Sequence, residues 1–264
     1  HVAPVEATQY DAGDGRMIPA LVTSRQDVRD AGNAPLIVMP HGGPRAHDEM
    51  GFDWIAQYFA SRGYVVLQPQ FRGSTGFGYD HLVAGYGEYG GKMISDINYG
   101  VHHLIDQGIA DPARVCAVGA SYGGYAALAL GAFHPEMYRC IVSIAGISDI
   151  PRKLTRTKIR SGREDSSIDF FERLYGIEES EKDSLKAISP AYFADAFQAP
   201  VLLIHGEKDT RVDIGQSTRM NRALRKADKD VTLVKLKGED HWLTKEETRV
   251  EALRATAEFI EQHL

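Results

Sequence analysis

Short apolar runs alternate with segments of helical period from residue 36 to the end of the chain. Apolar runs of four to eight residues bounded by turn residues suit strands buried on both faces, and the helical segments between them suit crossovers. The alternation predicts a mostly parallel sheet with helices on both faces. Expected strands cover 36–39, 65–68, 115–118, 138–145, 201–205 and 231–236; expected helices cover 52–62, 92–107, 125–133, 214–226 and a terminal segment from 245. Ahead of this rhythm, 5–10 and 17–24 flank Asp11-Ala12-Gly13-Asp14-Gly15, a hairpin signal that adds two antiparallel edge strands for a total of eight. The stretch 151–184 breaks the pattern. It is dense in both signs of charge and sets Ile168, Phe171, Leu174 and Tyr175 at helical spacing, so it is expected as a helical insertion after the sixth strand. Its role stays open between a surface that caps a cleft or faces a partner domain and a solvated amphipathic helix. No repeat, low-complexity tract or linker divides the 264 residues, which predicts one domain.

Composition narrows the classes without naming one. The formal net charge of -6 argues against nucleic acid, because a phosphate backbone asks for a basic face. No apolar window approaches the length of a membrane span, so the expectation is a soluble protein, cytoplasmic or periplasmic. The start His1-Val2-Ala3-Pro4 has neither a basic nor an apolar signal region and no methionine, which suggests a processed or excised piece. Cys116 and Cys140 each fall in a predicted buried strand, and free, buried thiols are expected in preference to a disulfide. No histidine, cysteine and carboxylate cluster has metal-ligand spacing and no dinucleotide or Walker fingerprint appears, so neither metal nor cofactor is expected.

The chemistry centres on Gly119-Ala120-Ser121-Tyr122-Gly123, between an apolar strand and an alanine-rich helix. A serine on a sharp strand-to-helix turn with small neighbours is how an α/β-hydrolase fold exposes a nucleophile. The hydroxyl needs a base to take its proton, and in that fold the order is serine, acid, histidine, each at the carboxyl end of a strand. Order leaves His241 and His263; His263 ends the terminal helix, whereas His241 follows the last strand directly. Asp209, in the loop after 201–205, is the expected acid, with Asp149 after the sixth strand as its rival; Asp213 and Asp240 are expected as capping and loop residues. A tetrahedral oxyanion wants two donors. These are expected at the backbone N–H of Tyr122 and, in Pro40-His41-Gly42-Gly43-Pro44, at Gly43, since Pro44 has none to give. His41 is expected to make a structural hydrogen bond at a strand end in preference to chemistry, and Arg72 can simply build a loop wall.

Four segments together resemble the catalytic domain of the prolyl oligopeptidase family: His41-Gly42-Gly43-Pro44, Phe71-Arg72-Gly73-Ser74-Thr75-Gly76-Phe77-Gly78, Gly119-Ala120-Ser121-Tyr122-Gly123-Gly124-Tyr125 and His205-Gly206-Glu207-Lys208-Asp209. The acylaminoacyl-peptidase and dipeptidyl-peptidase-like branch is the most similar. The resemblance implies a serine peptidase acting on short peptides, with Ser121 as nucleophile, Asp209 as acid, His241 as base and Arg211 holding the substrate main chain. It also implies an N-terminal β-propeller partner domain that this chain lacks, so the chain is expected to be either a catalytic fragment or a stand-alone relative. Apolar surface left bare by an absent partner would favour homo-oligomers. A carboxylesterase of the same fold and a non-catalytic binding module are the alternatives.

Overall fold

A computed structural model of the chain describes residues 2–161, 166–178 and 180–264. Its centre is one eight-stranded sheet: β1 (Val5–Asp11), β2 (Met17–Thr23), β3 (Ala34–Val38), β4 (Val65–Pro69), β5 (Ala110–Ala120), β6 (Cys140–Ile144), β7 (Val201–Gly206) and β8 (Val231–Leu236). The spatial order is β1-β2-β4-β3-β5-β6-β7-β8. β1 pairs antiparallel with β2 and β2 with β4, and every later pairing is parallel. This is the predicted α/β-hydrolase fold, edge hairpin included.

Ten α-helices are present among the described residues: α1 (Gln26–Ala31), α2 (Trp54–Ser61), α3 (Tyr79–Val83), α4 (Lys92–Asp106), α5 (Tyr122–Phe133), α6 (Ile150–Ser161), α7 (Ser166–Tyr175), α8 (Lys182–Ala187), α9 (Gly215–Lys226) and α10 (Glu246–His263). None of them is long and apolar enough to cross a membrane. Strand alternation sorts the core into two layers. Leu36, Val38, Val115 and Ala117 join the layer of α4, α5 and α9, while Ile37, Cys116 and Val118 join that of α2 and α10. Helix α5 is buried on every side from Tyr122 to Ala132, which its small and apolar residues permit.

Some boundaries depart from the sequence expectation. β5 begins at Ala110, ahead of the expected start at 115, through Asp111 and Pro112, residue types that strands disfavour. Helix α1 buries none of its residues and so had no apolar stripe to betray it. The insertion is helical, as α6, α7 and α8; its residues 162–165 and 179 lie outside the described residues.

The cysteine expectation is overturned. Both are buried, but Cys116 and Cys140 are bonded as a disulfide. The parallel register sets the two opposite each other on β5 and β6 with Cα atoms 4.7 Å apart, well within bridging range.

Arg72 is structural. Its guanidinium grips the fully buried Asp96 through Nε (2.8 Å) and Nη2 (2.7 Å), and donates from Nη1 to Asp14 in the β1–β2 turn at 3.0 Å. A buried charge held by two carboxylates locks the hairpin to α4 and to the loop after β4.

Candidate active site

β5 ends at Ala120 and α5 starts at Tyr122, so Ser121 makes the whole turn between them. It does so at φ 58°, ψ -116°, a conformation costly for a residue with a side chain. Two hydrogen bonds hold it there: its N–H donates to the Ile144 carbonyl at 2.9 Å and its carbonyl accepts from Tyr125 N–H at 3.0 Å. The flanking glycines are a steric necessity. A Cβ at 119 would lie 2.2 Å from the Gly123 carbonyl oxygen, and one at 123 would lie 2.1 Å from that of Pro40.

The loops after β7 and β8 bring the predicted partners to this turn. His241 Nε2 lies 3.0 Å from Ser121 Oγ, and His241 Nδ1 donates to Asp209 Oδ2 at 2.7 Å. Because Nδ1 carries the proton toward the carboxylate, Nε2 of the neutral ring is the acceptor for the serine hydroxyl. Asp209 is buried with its side chain fully enclosed. Burial alone would raise its pKa, but hydrogen bonds from His205, His241 and the Val212 N–H outweigh it and hold the carboxyl well below the usual carboxylate range. Its Oδ1 accepts from the N–H groups of Arg211 and Val212, both at 2.8 Å. Asp149 plays no part in this relay: it pairs with Arg219 and accepts from Arg152 N–H. His263 packs against Phe259 on α10. Asp213 and Asp240 accept from the N–H groups of Gly215 and Trp242, as loop residues do.

Two supporting residues were missed by the sequence reading. His205 is fully buried; its Nε2–H donates to Val212 O at 2.8 Å and lies 3.4 Å from Asp209 Oδ2, while Ser217 Oγ is 2.7 Å from Nδ1. Glu239, also fully buried, gathers the His241 loop by accepting from the N–H groups of Asp240 (2.8 Å) and Lys245 (3.1 Å) and from the Thr248 hydroxyl. Burial pushes its pKa up, the Thr248 hydroxyl and these amides pull it down, and the balance falls to about 2. His205 opens a segment that carries the family resemblance, but neither its supporting role nor that of Glu239 can be read from the linear sequence, because both roles depend on contacts across loops.

The loop after β3 lies against the serine. A Cβ at Gly42 would stand 3.6 Å from Ser121 Cβ, and Gly43 sits at φ 118° beside it. Tyr122 opens α5, so its N–H belongs to the turn that has no partner within the helix. Tyr122 and Gly43 line the same cavity as Ser121. His41 is structural: it stacks on Phe71 at 4.3 Å, its Nε2 lies 2.8 Å from Ser74 Oγ, and burial drives its pKa down to about 4.

Ser121 and His241 open into a cavity of about 600 Å³. Tyr89, Ile147, Phe171, Leu174 and Val212 make it largely apolar, Lys153 and Arg211 bring positive charge, and Asp48 adds a carboxyl group. Phe171 and Leu174 come from α7 and Lys153 from α6, so the insertion lines the cavity.

A sequence profile described as the prolyl oligopeptidase family matches residues 50–264. The chain belongs to that family. It is 36% identical over 239 residues to dipeptidyl peptidase family member 6 of Caenorhabditis elegans, covering 87% of this chain and 31% of that one. It is 33% identical over 252 residues to dipeptidyl aminopeptidase BIII of Pseudoxanthomonas mexicana, covering 94% and 36%. Among solved structures, a puromycin-hydrolysing peptidase of Mycobacterium tuberculosis superposes with a TM-score of 0.90 at 29% identity, over 99% of this chain and 39% of its own. The chain thus spans about a third of the length of the family relatives it matches.

Proposed function

We propose that this chain is the catalytic domain of a serine peptidase that cleaves short peptides through an acyl-enzyme. The observation that carries the reading is the unbroken relay from Ser121 Oγ through His241 to Asp209 at the mouth of the cavity. Ser121 Oγ attacks the scissile carbonyl carbon while His241 Nε2 takes the hydroxyl proton. Asp209 remains a carboxylate throughout, keeping the ring in the required tautomer and favouring the imidazolium. The oxyanion that forms accepts hydrogen bonds from the Tyr122 and Gly43 amides, each worth about 10²–10³ in rate. As the tetrahedral adduct collapses, the C–N bond breaks and the amine leaves with the proton from His241. Water then attacks the ester by the same route, its proton passing to His241 and on to Ser121 Oγ. Arg211, exposed at the cavity, is suited to hold the substrate main chain. As the family resemblance implies, the domain works beside a β-propeller; the exposed Trp242 and Phe52 favour self-association without it.

The test is labelling with a fluorophosphonate together with turnover of peptide anilides and p-nitrophenyl esters. The wild type is expected to label and to cleave both, and Ser121→Ala to do neither while keeping its fold. Ester turnover with no anilide cleavage, by this domain and by a longer chain carrying its companion domain, would make it an esterase. Labelling no stronger than that of Ser121→Ala would refute a working nucleophile.

A further inference from the structure

The cavity at Ser121 has a cationic end. Lys153 reaches it from α6 and Arg211 from the loop after β7. The Lys153 ammonium is fixed in the wall, donating to the Arg211 carbonyl and standing 5.7 Å from the centre of the Phe171 ring. Arg211 is exposed, and its guanidinium makes no hydrogen bond or ion pair with any described residue. Among the described residues, Asp209, which shares the loop of Arg211, is committed to His241, and Asp48, which lines the cavity, comes from the loop after β3. Ile147, Leu174 and Val212 give the same cavity an apolar surface.

We propose that this end of the cavity reads a substrate carboxylate, with Lys153 as the specificity-determining residue, and that the carboxylate is an aspartate or glutamate side chain on the residue whose carbonyl Ser121 attacks. The inference rests on the peptidase reading above. The methylenes of such a side chain lie along the apolar surface, and its carboxylate meets the ammonium of Lys153, while Arg211 beside it holds the main chain. Glutamine has the same shape without the charge, so it isolates the effect. For a charge pair at a cavity open to solvent, about tenfold in kcat/KM is expected.

The experiment uses N-acylated dipeptide p-nitroanilides that differ only in Glu or Gln before the anilide, which carries no terminal carboxylate. The wild type is expected to favour Glu about tenfold, Lys153→Met to show a ratio near one, and Lys153→Arg to restore it. A second arm compares peptides with a free or an amidated C-terminus at one fixed acyl residue. A Lys153-dependent preference seen only there keeps the carboxylate reading and moves its source to the leaving residue. Turnover with neither preference, or with preferences that survive Lys153→Met, overturns the proposal. If anilides resist but p-nitrophenyl esters of the same acyl groups are cleaved, the peptidase reading fails and the Glu/Gln ratio on the esters still decides this one. If neither class is turned over, both readings fall.

Discussion

Asp48 offers a measurable consequence of burying a carboxyl at the rim of the cavity. Its backbone is anchored on both sides: its N–H donates to Gln70 Oε1 at 3.1 Å and its carbonyl accepts from Gln70 Nε2 at 2.8 Å. Its Oδ2 is buried with no partner among the described residues. Burial, reinforced by the negative charge of Asp53 and only partly opposed by Gln68, raises its pKa to about 7. An unfolded aspartate titrates at 3.8. The folded state therefore holds a proton that the unfolded chain releases, and stability contributed below pH about 4 is lost as the pH rises toward 7. At about 1.4 kcal/mol per pH unit the loss reaches at most about 4 kcal/mol, and solvent at the cavity mouth trims it to about 2–3 kcal/mol. Asp48→Asn keeps the shape and removes the titration. Urea unfolding of both proteins from pH 4 to pH 8 reads the difference directly. The variant is expected to match the wild type near pH 4 and to exceed it by about 2–3 kcal/mol at pH 8. A difference that does not change with pH, or a variant less stable at pH 8, would refute the reasoning.

Two further substitutions probe the relay and the turn that carries it. Asp209→Asn removes the carboxylate that fixes the His241 tautomer, and turnover of a peptide anilide is expected to fall by about 10⁴; a fall of less than tenfold would mean that Asp209 does not orient the imidazole. Since the folded pKa of Asp209 is depressed, the wild type also carries stability above pH about 4 that drains away on acidification, and this pH dependence should shrink in the variant, as followed by urea midpoints between pH 5 and pH 2.5. Gly123→Ala drives a methyl group to 2.1 Å from the Pro40 carbonyl oxygen, backbone against backbone, and is expected to cost about 3 kcal/mol; a loss under about 0.5 kcal/mol in the same assay would show that the loop after β3 yields easily.

Much of the fold was legible because its signals are local. The apolar runs of β3, β4, β7 and β8 are bounded by turn residues, so their period survives in one dimension. The turn at Ser121 was legible for the same reason: Gly119 and Gly123 sit near Ser121 in sequence and are required there in space. Asp209 and His241 could be nominated through chain order alone, because in this topology order fixes which loops share the carboxyl edge of the sheet. Where a local signal was weak or misleading, as in α1 and in the Asp111-Pro112 start of β5, tertiary pairing overrode it.

What the linear chain determined, then, was the set of elements and the residue types able to carry the chemistry. Three-dimensional packing decided the rest: that Asp209 and not Asp149 meets His241, that His205 and Glu239 brace the two loops, that Cys116 faces Cys140, and that Lys153 from the insertion reaches the cavity of Ser121. Each of these joins residues far apart along the chain, and periodicity reports only on near neighbours. A charge or a thiol acquires its partner from strand register and loop closure, which exist only once the sheet has formed.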